Sequence, residues 1–270
     1  MPKEKIALVT GGSSGIGLSV ARKLAQSGAR VAVVARTERT LREAVESIGR
    51  DKAEAFPLDV RDLAALAAVP ARVVEKFGAL DIIVNNAGLH HRGPVLNVAP
   101  LDLGEMITAN LAAPVVLTRA AAPLMRRGGS IVNVASLAGM VPVPFQATYG
   151  ASKAGLRAFS RAARDELSEQ GITVSVVSPG PVDTGFFDGQ MDKVADITFS
   201  QPLSSADQVA DAVMKCIREG TAEIALPWLS GKLCMLAYVY PALARALRPA
   251  MERRGAKAKR AFFERKRTRG

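Results

Sequence analysis

Short apolar runs alternate with longer segments of helical periodicity along most of the chain. The runs are rich in Val and Ile and lack polar alternation, which is typical of strands buried on both faces of a parallel sheet. They comprise residues 6–10, 30–35, 81–88, 130–136, 172–180 and 222–227, with a weaker run at 52–60. Helix-length segments such as 15–27 and 151–170 lie between them. The alternation predicts an α/β fold: one domain with a doubly wound parallel sheet of about seven strands and helices on both faces.

The regular alternation stops near residue 227. We therefore expect a main domain over residues 1–227 and a C-terminal extension over residues 228–270. In a doubly wound sheet a crevice opens at the carboxyl ends of the strands, where the strand order reverses. Functional residues are expected along that edge.

A glycine-rich loop follows the first predicted strand and opens a helix. Gly11, Gly15 and Gly17 are spaced G-x-x-x-G-x-G. Glycines permit a tight turn and a close approach of backbone to phosphate, and the helix N-terminus supplies free N–H groups. The alternative is a tight turn without a ligand. The strand–turn–helix context favours dinucleotide binding.

The end of the second predicted strand indicates which dinucleotide is bound. An acidic side chain there would bind the ribose 2′-hydroxyl of NAD, whereas an arginine favours the 2′-phosphate of NADP. The chain has Ala35 followed by Arg36, and Arg39 and Ser13 are placed to assist. The sequence predicts NADP (NADPH) rather than NAD, with a solvated surface arginine as the alternative for Arg36.

The cysteine and histidine content limits the chemistry. Cys216 and Cys234 are the only cysteines, and His90 and His91 the only histidines. No disulfide framework is indicated, which fits a cytoplasmic location, and the start of the chain resembles no signal peptide. A zinc site needs three or four ligands, so no metal is expected. We expect both histidines to be surface-loop residues without a catalytic role, with substrate contact as the alternative.

Seven motifs, in fixed order, resemble the short-chain dehydrogenase/reductase family. They are TGGSSGIG (10–17), LDV (58–60), NNAG (85–88), Asn110 in ITANLAAP, Ser136 in NVAS, YGASK (149–153) and SPGPVDT (178–184). The resemblance covers roughly residues 5–227. It implies a Rossmann-type sheet and NAD(P)-dependent interconversion of a carbonyl and a secondary alcohol. A catalytically silent dinucleotide-binding regulatory protein is the alternative, and the intact motif set argues against it.

The resemblance implies a catalytic set of Asn110, Ser136, Tyr149 and Lys153. Tyr149 and Lys153 are four residues apart, on one face of a helix. Hydride transfer to a carbonyl builds negative charge on oxygen, and Tyr149 is expected to donate the proton. The Lys153 ammonium is expected to lower the pKa of the phenol from its usual value of about 10. Ser136 is expected to hold the substrate oxygen, and Asn110 a water that links Lys153 to solvent.

The resemblance also implies a set of cofactor-binding residues along the same edge. They are Gly11, Ser13, Ser14, Gly15, Ile16, Gly17, Arg36, Asp59, Val60, Asn86, Ala87, Gly88, Tyr149, Lys153, Pro179, Gly180, Val182 and Thr184. Asp59 is expected at the adenine amino group, and the last four residues around the nicotinamide amide. Asn85 and Asn86 are expected mainly to stabilise the central sheet.

Residues 185–204 resemble the mobile substrate loop of the family. Their apolar side chains, Phe186, Phe187, Met191 and Phe199, favour a small hydrophobic carbonyl or alcohol substrate. The alternative is that these side chains fold inward and belong to the core. The resemblance further implies a homodimer or homotetramer, formed through the helices that carry Asn110 and Tyr149.

The C-terminal extension combines apolar, aromatic and basic residues. Lys232 and Pro241 interrupt the apolar part, so that it is a poor transmembrane span. Residues 245–270 carry a net charge of +9, and the rest of the chain only +2. The pattern suits peripheral contact with an anionic membrane surface, on its inner face, as one of several interpretations. The alternatives are a helix packed over the substrate site or a subunit interface, followed by a disordered tail, or an acidic protein partner. No nucleic acid is expected.

Overall fold

Seven parallel strands form the centre of the structure, a computed structural model that describes residues 4–184 and 194–267, with side chains to residue 264. Two further short strands pair separately, so that the described residues contain nine strands in chain order: β1 (Ile6–Thr10), β2 (Arg30–Ala35), β3 (Ala53–Pro57), β4 (Ile82–Asn85), β5 (Ser130–Val134), β6 (Thr173–Pro179), β7 (Val182–Asp183), β8 (Ser204–Ser205) and β9 (Glu223–Leu226). The main sheet has the order β3-β2-β1-β4-β5-β6-β9, and β7 pairs with β8 separately. The predicted doubly wound sheet is confirmed, because all six pairings within the main sheet are parallel.

Helices cover both faces of the sheet. They are α1 (Gly15–Gln26), α2 (Glu38–Ile48), α3 (Leu63–Phe77), α4 (Pro100–Ile107), α5 (Ala113–Ala121), α6 (Ala147–Ser168), α7 (Ala206–Glu219), α8 (Trp228–Val239) and α9 (Pro241–Arg267). One apolar core lies between the sheet and α1, α2 and α7, and a second between the sheet and α3, α5 and α6. β1 faces both cores, and therefore each of its residues is buried.

The strand order reverses between β1 and β4, and the predicted functional residues follow the strands at that edge. A buried polar chain supports the centre of the sheet. Asn85 Nδ2 donates to Asn133 Oδ1 at 2.7 Å, and Asn133 Nδ2 donates to Ser160 Oγ on α6 at 2.8 Å. Asn86 Nδ2 donates to the carbonyl oxygen of Thr10 at 3.1 Å. The expected structural role of Asn85 and Asn86 is therefore confirmed.

Residues 100–124 form one continuous helical run, in which a π-helical turn (Thr108–Ala112) joins α4 to α5. Among the described residues, this run alone is long and apolar enough, by length and composition, to cross a membrane. It packs on α3 and α6, and it buries Asn110 completely. These contacts are those of a core helix of the domain.

The C-terminal extension is helical and packs on the main domain. α8 contacts β9 and the short helix Leu137–Gly139, and α9 contacts the short helix Asp196–Ser200. The alternative of a packed helix followed by a disordered tail holds for the packed helix, but the tail is helical up to Arg267, where α9 ends.

Candidate active site

The first turn of α6 carries Tyr149, and Lys153 follows one turn later, as the spacing predicts. The Tyr149 hydroxyl is hydrogen-bonded to the hydroxyl of Ser136, which lies just past the end of β5. Ser136 Oγ also accepts from the backbone N–H of Ala138 at 3.2 Å, which fixes its position. Lys153 Nζ lies 5.9 Å from the centroid of the Tyr149 ring and donates to the carbonyl oxygen of Val134 at 2.9 Å.

Burial dominates the electrostatics of this cluster. It raises the pKa of Tyr149, although the hydrogen bond from Ser136 and the positive charge of Arg92 act in the opposite direction. Burial also lowers the pKa of Lys153 to about 8. The predicted lowering of the phenol pKa by Lys153 is therefore wrong for this structure. The cation whose charge acts on the phenol is Arg92, in the loop after β4.

The loop after β4 brings His90 onto the face of the Tyr149 phenol. The rings of His90 and Tyr149 are stacked, with centroids 4.2 Å apart and planes 10° apart. Burial, followed by the charge of Arg92, lowers the pKa of His90 to about 3, so its imidazole is neutral at physiological pH. His90 Nε2 is buried without a hydrogen-bond partner among the residues that the structure describes. The surface-loop expectation is wrong for His90, whereas His91 is partly exposed.

Asn110 fastens this loop to the helix beneath it. Its Oδ1 accepts from the backbone N–H of Leu89 at 2.8 Å, and its Nδ2 donates to the Leu89 carbonyl at 2.9 Å and to Ser152 Oγ at 3.1 Å. π-helical turns are frequent at functional sites, and Asn110 lies in one. A Cβ atom at Gly88 would lie 2.9 Å from Asn110 Oδ1 and 3.5 Å from Lys153 Nζ. These three residues are thus neighbours. The water that Asn110 is expected to hold stays a prediction.

The glycine-rich loop fits a dinucleotide pyrophosphate. Gly11 has a φ of +63°, and a Cβ atom there would lie 2.9 Å from the Cα of Ala87. A Cβ atom at Gly17 would collide with the Gly11 carbonyl oxygen. No side chain caps the N-terminus of α1, and its first turn holds no acid, so its N–H groups are available to an anion. Ser13, Ser14 and Ile16 complete this loop and the start of α1.

Arg36 and Asp59 lie past the ends of β2 and β3, at the same edge. Arg61 lowers the pKa of Asp59, chiefly through a hydrogen bond, in which its Nη2 donates to Asp59 Oδ2 at 2.7 Å. Arg36 is exposed, and its charge makes a smaller contribution in the same direction. Asp59 is therefore an ionised acceptor, and Val60 beside it is half-buried.

The loop after β6 closes the row of predicted cofactor residues. The backbone N–H of Gly180, next to Pro179, donates to the Leu226 carbonyl at 2.7 Å. Val182 pairs with Ser204 in the small sheet. Thr184 Cγ2 would lie 3.4 Å from a Cβ atom at Gly15, so this loop reaches the glycine-rich loop. The structure thus brings every predicted site residue to the carboxyl edge of the sheet.

A sequence model of the short chain dehydrogenase family matches residues 5–195, which is more than half of the chain. The chain belongs to the short-chain dehydrogenase family. Members of this family are oxidoreductases that act on CH–OH groups with NAD or NADP, bind small substrates and are typically oligomeric. The alternative of a silent regulatory protein is not favoured.

Known members of the short-chain dehydrogenase family match most of this chain. The ketoacyl reductase HetN of Nostoc sp. is 38% identical over 229 residues, which are 82% of this chain and 77% of that protein. The 3-oxoacyl-[acyl-carrier-protein] reductase FabG of Staphylococcus aureus is 35% identical, over 78% of this chain and 88% of that protein. A short-chain dehydrogenase from Burkholderia cenocepacia, whose crystal structure was determined in complex with NADP, is 35% identical in sequence to this chain. It has a TM-score of 0.75 and covers 82% of this chain and 95% of that chain.

The sequence leaves two interpretations of the apolar side chains of residues 185–204: a substrate loop, or side chains that fold into the core. Phe186, Phe187 and Met191 lie outside the described residues. Phe199 is buried and packs on Phe262 of α9, with ring centroids 5.7 Å apart, so the inward-folding alternative holds for Phe199.

One group of side chains in the described part of the short-chain dehydrogenase has ligand atoms close enough to share an ion. The atoms of His91, Asp102 and Glu105 lie within 4.8 Å of one another. Glu105 already pairs with Arg61, and exposed acidic groups commonly lie together without an ion. We assign no metal to this group.

Proposed function

We propose that this short-chain dehydrogenase is an NADPH-dependent reductase that interconverts a ketone and a secondary alcohol on a small hydrophobic substrate. The observation that carries the proposal is the convergence of Ser136, Tyr149 and Lys153 beside the glycine-rich loop at one edge of the sheet. The ketoacyl reductases among the relatives, and the NADP complex of the Burkholderia protein, support the same chemistry and cofactor.

The residues that would hold NADPH are those of the carboxyl edge. The glycine-rich loop and the N-terminus of α1 would bind the pyrophosphate. Arg36 would bind the 2′-phosphate through its guanidinium, and Asp59 the adenine amino group. When bound, NADPH supplies the hydride that reduces the carbonyl carbon.

The side chains of the chain itself orient the substrate and move the proton. The Ser136 hydroxyl donates to the carbonyl oxygen, beside the phenol. The Tyr149 hydroxyl gives its proton to this oxygen as negative charge develops there, and in the oxidative direction the phenolate takes it back. The positive charge of Arg92 and the hydrogen bond from Ser136 stabilise the phenolate between these steps.

A narrow cleft beside Tyr149 supports the choice of substrate class. Its lining includes the apolar side chains of Val95, Val98, Leu103, Met106 and Phe145 beside polar ones such as Gln146 and Thr148. His90 Nε2 is a buried polar atom in the same lining. This combination suits an apolar ketone that carries a second hydrogen-bonding group near the carbonyl.

Nicotinamide absorbance tests the reaction. A panel of hydrophobic ketones and secondary alcohols is screened with NADPH and NADP, and then with Tyr149→Phe. The variant is expected to lose at least about a hundredfold in turnover and to keep NADPH affinity, because only the transferable proton is removed. Wild-type rates in this variant would refute the role of Tyr149. NADPH binding by the wild type without turnover of any compound would favour the regulatory alternative.

Arg36→Ala tests the choice of cofactor. We expect wild-type protein to bind NADPH more tightly than NADH, and the variant to lose about tenfold or more for NADPH alone, because a charge-assisted pair is removed. Arg42→Ala, an exposed arginine of the same region, is the control. A wild-type preference for NADH would contradict the assignment.

We further propose a cytoplasmic homodimer or homotetramer. Residues 1–227 form its catalytic domain, and residues 228–270 a C-terminal extension of that domain. Cys216 and Cys234 support the location, because both are buried free thiols in this structure.

A further inference from the structure

α8 turns its small residues inward and its large apolar residues outward. The buried positions are Ser230, Gly231 and Cys234. Trp228 and Tyr238 are 65% and 63% exposed. The other exposed large apolar side chains of this region are Leu229, Leu233, Met235, Leu236, Val239, Tyr240, Leu243 and Leu247. A helix that only packs on a soluble domain shows the opposite arrangement.

The inward stripe explains how α8 is held without its large residues. A Cβ atom at Gly231 would collide with the Cβ of Ala225 on β9, so α8 lies against the strand at very short range. Cys234 packs with Leu137 and Met140. The large apolar side chains are therefore left for a second apolar environment, and contiguous exposed apolar surface of this kind marks an interaction site.

The outward face of α9 changes from apolar to basic along its length. Leu243 and Leu247 are exposed near its start. Arg253, Arg254, Lys257 and Arg260 are exposed further on. The helical rise places Lys257 about 15 Å beyond Leu247. We call the exposed apolar side chains of residues 228–247 the apolar tip, and these four basic residues the basic collar.

The inner face of α9 fastens the two consecutive helices α8 and α9, called the hairpin below, to the domain. A Cβ atom at Gly255 would collide with the carbonyl oxygen of Asp196. Lys259 Nζ donates to the carbonyl oxygen of Val194 at 2.6 Å and to Asp196 Oδ1 at 3.2 Å. These contacts hold the apolar tip and the basic collar in a fixed relation to the active site.

We propose that the α8–α9 hairpin docks the enzyme on an anionic lipid bilayer. The apolar tip enters the boundary between headgroups and acyl chains, where Trp and Tyr side chains are favoured. The basic collar lies among the anionic headgroups. The two halves of a bilayer surface, apolar and anionic, match the two parts of the hairpin.

Other occupants match only one part. A second copy of this chain would cover the apolar tip, but it would bring two basic collars together. An acidic protein would attract the collar, but it offers no apolar region of this extent. Within the described chain the tip and the collar lie on two consecutive helices, so one extended anionic and apolar surface can contact both.

The docked hairpin stands next to the substrate side of the site. α8 packs on residues 137–139, directly after Ser136. Thr198, in the segment under α9, accepts a hydrogen bond from Gln146 Nε2 at 3.0 Å, and Gln146 precedes α6 with its Tyr149. If the enzyme reduces an apolar ketone, as proposed above, this position lets the substrate enter the site from the lipid phase.

Vesicle sedimentation of the full-length protein tests the docking. Vesicles of phosphatidylcholine alone are compared with vesicles containing one third phosphatidylglycerol, at low and at high salt. We expect strong binding to anionic vesicles at low salt, at least tenfold weaker binding at high salt, and weak binding to neutral vesicles. Failure of the wild type to sediment with anionic vesicles at low salt overturns the proposal.

Paired variants separate the two parts of the hairpin. The tip variant is Leu236→Ser with Val239→Ser and Leu243→Ser, and the collar variant is Arg253→Glu with Lys257→Glu and Arg260→Glu. Each is expected to lower partitioning at least tenfold, the collar variant chiefly at low salt. The matched controls, Leu96→Ser with Leu101→Ser and Arg42→Glu with Arg50→Glu, are expected to keep it. Equal losses in the controls overturn the proposal.

Two further measurements distinguish lipid docking from misfolding and from self-association. NADPH binding confirms that each variant is folded. Sedimentation velocity without lipid shows whether the tip variant dissociates an oligomer. Dissociation together with unchanged vesicle binding would overturn the proposal and assign the tip to contact between copies. Vesicle binding by a wild type that reduces no ketone would retain the docking and refute only the proposed function.

Discussion

Tyr149 is held by two side chains that the fold brings from separate loops. Ser136 is bonded to its hydroxyl, and His90 covers one face of its ring. The first contact orients the hydroxyl, and the second covers one face of the ring. We propose that His90 acts on the reaction through Tyr149, as a positioning residue, and that its unpartnered Nε2 contacts the substrate.

A pair of substitutions at His90 separates these two tasks. His90→Phe keeps a ring on Tyr149 and removes Nε2, so KM should rise severalfold with kcat nearly kept. His90→Ala removes the stack as well, and kcat should fall about tenfold, because a loosened catalytic group loses orientation. Steady-state kinetics with the best substrate of the panel measures both. Wild-type kcat in His90→Ala would show that the stack has no role.

The buried Lys153 makes stability depend on pH. Its pKa in the folded protein is about 8, below the usual 10.5, so the folded state binds fewer protons than the unfolded state between these values. The contribution of Lys153 to the stability of the wild type therefore rises with pH through this window. Lys153→Met lacks this rise, so its stability relative to the wild type should fall by about 2 kcal/mol from pH 7 to pH 10. Urea unfolding at both pH values measures the difference, and Lys215→Met at an exposed site is the control. A pH-independent difference would contradict the cost of burial.

At the scale of elements, the sequence predicts what local pattern determines. The apolar run 6–10 forms a strand because helices cover both of its faces. The glycine-rich loop after β1 leads directly into α1, because glycines allow that turn. The contact of His90 with Tyr149 joins residues far apart in the chain, and no periodicity encodes it. The sequence signal that could have indicated this contact is the position of His90, just after the NNAG motif (85–88) at the carboxyl end of β4. The inward stripe of α8 was equally hidden, because an apolar helix does not reveal which side faces the domain.

Gly231 tests how α8 is fixed. Gly231→Ala should force α8 away from β9 and destabilise the protein by about 1–3 kcal/mol, because its Cβ has no room beside Ala225. Gly104→Ala is the matched control, since nothing lies within 4 Å of a Cβ atom there. That control should be neutral or slightly stabilising, as alanine favours a helix. Thermal unfolding compares the two, and equal melting temperatures would contradict the close approach of α8.

At the scale of the whole molecule, an almost neutral body carries a basic C-terminal end. The body holds the sheet and the whole candidate site, whereas residues 245–270 hold a net charge of +9 out of +11. In the proposed docking, this division places the chemistry in the body and the membrane contact in the C-terminal end. Changes to the exposed charges of the C-terminal end should therefore alter where the enzyme lies more than how it reacts with a soluble substrate.

Assembly is the property of the whole molecule that light scattering can test directly. The partly exposed apolar run 100–124 lies beside α6 and offers a face for a second copy. We expect two or four times the mass of one chain at micromolar concentration, retained in the tip variant. A monomeric mass would contradict assembly through these helices. Dissociation of the tip variant would indicate that α8, and not the run 100–124, forms the interface between subunits.

The close packing of α8 on the residues after Ser136 has a consequence for kinetics. An enzyme whose site opens toward a bilayer meets its substrate in two dimensions, so the relevant concentration is the mole fraction of substrate in the lipid. Adding inert anionic lipid at a constant total amount of substrate should then slow the reaction, although the bulk concentration is unchanged. A water-soluble ketone should show no such surface dilution.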